Sequence, residues 1–375
     1  MSEDERYRAS TQFRLWSYTP ASLEALRTTT NRIAADRVRE AVRRVRQSRT
    51  ASSTDTSEAE GSRSVSALPE GDVDCLTVEE ELKLLVFYCR QTLQLGDHLK
   101  VPTDVKATAI QYIKRFYITN SLMTYHPTDI LKTALFFATK TENYYFRLSK
   151  FAEAIGKTKP EDVLASEFLL TQGLRFTFDV RHPFRALEGA VMELQAMEAG
   201  HIPWGPGPKL ENMNKRIKDA HGVAREYLKT SAQLTDVYFY FTPSQIMFAA
   251  LAIADAELTE SYIACKFASA SGSGGEELRE RIMSTISQCA EILATVEPDS
   301  QPSEQERAEL KALAKKLNKC RNPEKMDLVG LQKAKREGEG SAAAEDRIAK
   351  KRKLERDQAM KEGDDLFGPA LTKPS

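Results

Sequence analysis

One stretch limits what this chain can fold into. Residues 110–143, IQYIKRFYITNSLMTYHPTDILKTALFFATKTEN, hold two apolar helical segments joined by a short turn. In the first, Val105, Ala109, Tyr112, Ile113 and Phe116 fall at offsets of 4, 7, 8 and 11, which predicts a helix with one buried face. In the second, Ile130, Leu131, Ala134, Leu135, Phe136, Phe137 and Ala138 leave only Lys132 and Thr133 as polar relief. Such a helix has to be surrounded by others. Pro127 stands in its first turn, where a helix accepts proline. SQIMFAALAIADA at 244–256 is a second helix of this kind, so one arrangement is used twice. Strand signals are missing, and the brief alternation in RFTFDV (175–180) reads as an extended linker. The fold class is all-α.

The rest of the composition excludes several kinds of protein. No apolar run approaches the length that spans a bilayer, and MSEDERYRAS lacks the apolar core of a secretory leader, so we expect an intracellular protein without a membrane contact. The five cysteines are scattered without a C-x-x-C pair, and the five histidines form no ligand pattern, so we expect no metal and no cofactor. His126 and His182 each precede a proline and read as helix-start residues. Residues 71–300 carry 24 Lys and Arg against 30 Asp and Glu, the wrong balance for binding nucleic acid through phosphates. Gly156-Lys157-Thr158 imitates the end of a phosphate loop, but Phe151 stands where the loop needs glycine. No catalytic constellation is found, and the chain reads as non-catalytic.

Taken in order, the chain divides into a segment and helix at 1–47, a disordered insert at 48–71, helical units at 72–180 and 181–300, a helix at 301–320 and a disordered charged tail at 321–375. Thr19 caps the N-terminal helix, Pro20 opens it, Tyr18 staples onto Leu23, and Leu23, Leu26, Ile33 and Val38 continue its apolar positions. Its later arginines form either a solvated face or a contact for an acidic partner. The insert is too polar to offset its ordering entropy. Thr77 and Glu80 make a capping box for the first unit, whose first helix has Leu82, Leu85, Val86, Cys89 and Leu93 as its inner face. Further helices are expected at 149–155 and 160–172, the latter ended by Gly173 as C-cap. In the second unit GHIPWGPGP (200–208) interrupts the helices, and Phe241, Thr242, Pro243 and Gln245 mark a capped start. Leu310, Leu313 and Leu317 suit a terminal helix that docks back on the body. In the tail, Lys350, Lys351, Arg352 and Lys353 form a basic run that suits nuclear import or a plain solvated tail.

Five blocks resemble a known family: KRFYITNSLMTYHP (114–127), ATKTEN (138–143), SEFLLTQGLRF (166–176), HPFRALEG (182–189) and LTDVYFYFTPSQI (234–246). In this order they resemble the cyclins, the cyclin H group among them. The resemblance implies two consecutive five-helix cyclin boxes, with the N-terminal and C-terminal helices packed together beside the first. It further implies a nuclear regulatory subunit, not an enzyme, that activates a cyclin-dependent kinase, the CDK-activating kinase. Its other partners would be a RING-containing assembly factor and the TFIIH core, in transcription and cell-cycle control, without direct contact to nucleic acid.

Pattern alone gives Lys140 and Glu167 plain explanations, a cation at a helix C-terminus and a glutamate facing water. The resemblance places them on the lysine and glutamate with which cyclins hold the regulatory helix of their kinase, with Phe136 and Phe168 beside them. Trp16, Leu23 and Leu26 would carry the N-terminal helix contact. A kinase is active when the glutamate of that regulatory helix pairs with the lysine that orients ATP, and a cyclin-like surface holds the helix inward.

The chain departs from the family in lacking a second acidic residue after ATKTEN, the M-R-A-I-L substrate-docking patch and a destruction box. Three rival readings stand beside it: another transcriptional cyclin, a two-box transcription factor that binds DNA, and a helical scaffold. The DNA binder would need a zinc ribbon and a basic body, and the sequence has neither.

Overall fold

The computed structural model describes residues 3–52, 73–156, 158–205, 209–268 and 275–331, and every regular element among them is helical. Helices α1 (Glu3–Ala9) and α2 (Thr11–Trp16) lead into the long α3 (Pro20–Ser52). At its start Thr19 Oγ1 accepts from the Ser22 amide at 3.2 Å and Ser22 Oγ from the Thr19 amide at 3.0 Å, a reciprocal cap. The helix continues five residues past the expected boundary at 47, because no glycine or proline interrupts the chain between Pro20 and Gly61. The rest of the expected insert, and the tail from 332 with Lys350, Lys351, Arg352 and Lys353, lie outside the described residues.

The first unit comprises α4 (Val78–His98), α5 (Thr103–Thr119), α6 (Pro127–Thr141), α7 (Leu148–Ile155), α8 (Pro160–Leu164) and α9 (Glu167–Gly173). The capping box between Thr77 and Glu80 is formed, and α6 is surrounded as its composition requires. The inner face of α4 differs from expectation: Leu84, Leu85, Tyr88 and Cys89 are buried, whereas Leu82, Val86 and Leu93 sit at the rim. The larger correction concerns α5, where 13 of 17 residues are buried instead of one face. Its apolar side packs on α4, α6 and α9, while its polar side, Gln111, Lys114 and Arg115, meets the second unit and the N-terminal segment.

The single helix expected at 160–172 is broken. The Val163 carbonyl, which would accept from residue 167 in a continuous helix, takes the Thr133 hydroxyl at 2.6 Å instead. A new helix starts at Glu167. Gly173 is no left-handed cap; it lies inside α9, where an added Cβ would meet the Phe116 ring at 2.5 Å. The left-handed turn falls on Arg175 (φ 52°) and Phe176 (φ 54°), a conformation disfavoured for both.

The second unit contains α10 (Phe184–Glu198), α11 (Met213–Lys229), α12 (Ser231–Leu234), α13 (Val237–Tyr240), α14 (Pro243–Ala254), α15 (Ala256–Ala268) and α16 (Gly275–Ala294). Thr242 and Gln245 form the expected box, and α14 fills the centre between α11 and α16. In the 200–208 interruption Ile202 and Trp204 pack on the core, and the Gly205 amide donates to Cys265 Sγ at 3.2 Å. Helix α17 (Glu304–Lys319) docks Leu313 and Leu317 against α4, with Lys316 at 2.9 Å from Glu80 and 3.0 Å from Asp74. Helix α3 also lies on α4, and its Arg44 reaches Glu324, just beyond α17, at 3.1 Å. Residues 3–326 belong to one compact unit; in the other, Asp327 Oδ1 accepts from the Gly330 amide at 2.8 Å.

Candidate functional site

The break between α8 and α9 places Glu167 on the first turn of α9, opposite Lys140 on the last turn of α6. Lys140 Nζ is 2.7 Å from both carboxylate oxygens. The two side chains are 42% and 28% exposed. A pair that open adds about 0–1 kcal/mol to stability, so the fold does not need it. Its remaining lone pairs and one ammonium proton are open to a partner.

Phe136 and Phe137 support the lysine from below, with Nζ 4.9 and 5.9 Å from their ring centroids. Phe136 is only 5% exposed and packs on Phe151, so it positions Lys140 and presents no contact surface of its own. Phe168, beside Glu167, is 51% exposed. The sequence reading did not single out Tyr145, on the loop after α6, which is 85% exposed. Tyr144 and Phe146 on either side pack on the core, and the Tyr144 amide donates to the Thr139 carbonyl at 2.8 Å. The alternation of three successive aromatics was the one signal available.

The N-terminal anchors divide. Trp16 and Leu23 are buried together with Ile118 and Phe239. The Trp16 indole donates to Thr177 Oγ1 at 2.9 Å, and the guanidinium groups of Arg115 and Arg175 each stand 5.1 Å from its ring centroid. Leu26, by contrast, is 38% exposed and lies outside both buried clusters. The inward stripe passes instead through Arg27, Thr30 and Asn31, which hydrogen-bond to Asp236, the Ile118 carbonyl and the Leu76 carbonyl. Ranking positions by hydrophobicity selects the wrong neighbour where the interface is polar.

The two helix-start histidines also divide. His126 caps α6 by accepting from the Thr128 amide. His182 caps nothing; its ring bridges the two units, 2.8 Å from Thr108 Oγ1 and 2.9 Å from the Tyr238 hydroxyl. Burial, with Arg115 nearby, pushes the His182 imidazole down to about 3, and burial with Arg321 brings His126 to about 4. Among the described residues no cluster could hold a metal ion, and no helix is long and apolar enough to cross a membrane.

Known proteins share this architecture. The cyclin N-terminal domain family matches residues 86–179 and the cyclin C-terminal domain family residues 182–294. Cyclin CCL1 of Saccharomyces cerevisiae is 34% identical over 274 residues, 73% of this chain and 64% of its own length. Cyclin-H of Xenopus laevis is 28% identical, over 80% of this chain and 87% of its own. A chain of the CAK complex of Chaetomium thermophilum bound to ATP-γ-S is 40% identical with a TM-score of 0.73, over 90% of this chain and 96% of that one. A chain of the yeast TFIIK (Kin28/Ccl1/Tfb3) complex is 28% identical with a TM-score of 0.56, over 76% of this chain and all of that one. With both boxes matched in order, and the helices around Lys140 and Glu167 inside the first, this chain belongs to the cyclin family, in the group of cyclin H and Ccl1.

Proposed function

We propose that this protein is the non-catalytic cyclin of a CDK-activating kinase and that the Lys140–Glu167 corner holds the kinase's regulatory helix in its active position. The observation that carries the reading is an ion pair the fold does not need, kept at the surface beside the exposed Phe168. A lysine donor and a carboxylate acceptor suit the backbone and side chains at a helix end. Tyr145 and Phe168 supply the apolar area that gives such a contact its strength.

Activation on this reading is a population shift. The cyclin binds the helix-in state of the kinase in preference to the helix-out state, and moving that equilibrium from 1:99 to 99:1 takes about 5.5 kcal/mol of differential binding. The protein works in the nucleus, in TFIIH-linked transcription and cell-cycle control, with a RING-containing assembly factor as third subunit and the TFIIH core beyond it. The relatives support this, since one solved complex is named for CAK and the other for TFIIK with Kin28 and Tfb3. Residues 72–180 and 181–300 act as the two boxes, and 301–320 as a brace. The test is co-elution of the full chain with the CDK-activating kinase of the same organism on gel filtration. A stable complex supports the reading, and separate elution at micromolar concentrations contradicts it.

A further inference from the structure

The N-terminal segment is laced alternately to the two boxes. Gln12 Oε1 accepts from the Arg181 amide at 2.6 Å, where the second box begins. Trp16 is held by Thr177, Arg115 and Arg175 of the first box. The Tyr18 amide then donates to the Phe239 carbonyl of the second box at 2.8 Å, and the two rings meet edge to face at 5.9 Å. Leu23 packs on Ile118 and Phe239 together, one residue from each box. Thr30 and Asn31 return to the first box, at the carbonyls of Ile118 and Leu76.

Where the segment crosses between boxes, charge does the fastening. Arg27 reaches both carboxylate oxygens of Asp236, at 2.7 and 2.9 Å. From the other side comes Lys114 of the first box, buried, 3.5 Å from Asp236 Oδ1 and donating to the Thr235 carbonyl. Burial alone would raise the Asp236 carboxyl; Lys114 and Arg27 outweigh it and hold it at about 2. The direct seam between the boxes also carries polar contacts, Gln111 with Gln233 and Thr108 with His182. Apolar contact is non-directional and tolerates sliding, whereas a two-pronged arginine–carboxylate pair fixes geometry.

We propose that residues 12–31 form a strap that sets the angle between the two cyclin boxes, with the Arg27–Asp236–Lys114 triad as its lock. The strap acts within this chain and needs no kinase. Any partner that touches both boxes meets a surface whose shape the strap has already chosen.

The experiment places spin labels on non-natural side chains at Tyr145 and Met192, exposed positions of the first and second box, in the full-length protein without partner. The distance distribution is measured for wild type and for Arg27→Met, which keeps the stem's packing and removes the charge. Asp236 retains Lys114 in that variant, so no buried charge is left alone. A single narrow distance in wild type that shifts or broadens in Arg27→Met, with a cooperative thermal transition retained, is the result expected. Identical distributions would overturn the proposal. Should the methionine variant not fold, Arg27→Gln is read in the same two ways.

Discussion

Lys140 and Glu167 are 27 residues apart in sequence, and the lysine nitrogen lies 2.7 Å from each oxygen of the carboxylate. Two features bring them together. The helix of Lys140 is buried on nearly all sides and cannot rotate, and a hydroxyl from that same helix, Thr133, bonds the Val163 carbonyl where α8 ends, before the new helix begins at Glu167. The pair is therefore set by the core beneath it, although it contributes little to the core's stability.

If the exposed Tyr145 and Phe168 are anchors for the kinase, Tyr145→Ala and Phe168→Ala should each weaken the complex by about 2 kcal/mol, roughly 30-fold in Kd. Neither truncation opens a core cavity, so the melting temperature of the free protein should be unchanged. Titration calorimetry on each variant decides the matter, and affinities equal to wild type would remove these residues from the interface.

Trp16 is fully buried, with two guanidinium groups 5.1 Å from its ring centroid and a hydrogen bond to Thr177. Trp16→Ala should lower the unfolding free energy by about 3–5 kcal/mol. Trp16→Phe keeps most of the packing and loses the hydrogen bond, a cost of about 1 kcal/mol. Urea unfolding of the two variants checks this ordering; equal losses would mean that packing around the ring is not what holds the segment.

The histidines give the protein a pH dependence of known sign. Both imidazoles have folded-state values below the ordinary 6.5, at about 4 for His126 and about 3 for His182. As pH falls through 6.5 the unfolded chain takes up protons that the folded chain refuses, so their contribution is complete above that pH and is lost from there down to about pH 4 for His126 and about pH 3 for His182. Urea unfolding at pH 7.5 and pH 5 should show wild type losing more stability than His182→Gln. In nuclear magnetic resonance spectra neither ring should titrate between pH 5 and 8, and a midpoint near 6.5 for His182 would contradict its burial in the bridge.

Much of this fold was legible because helix starts are written locally. Thr77 with Glu80, Thr242 with Gln245, and Thr19 ahead of Pro20 each name their own caps. What escaped the reading depended on the rest of the molecule. Lys114 and Arg115 look like a solvated face until the second box and the strap cover them, and Arg27 looks less like an anchor than Leu26 until Asp236 arrives. The break before Glu167 coincides with a hydrogen bond from a hydroxyl 30 residues upstream. The meeting of Lys140 with Glu167 was likewise invisible to periodicity, and the resemblance to the cyclins suggested their roles before the structure showed their contact.

The most direct test of the central claim is the phosphotransfer rate of the purified CDK-activating kinase alone, with this protein, and with its Lys140→Ala/Glu167→Ala double variant. The account requires that wild type raise the rate and that the double variant, folded and as stable as wild type, lose most of the increase. A double variant that activates as well as wild type would leave a cyclin whose kinase is held somewhere else.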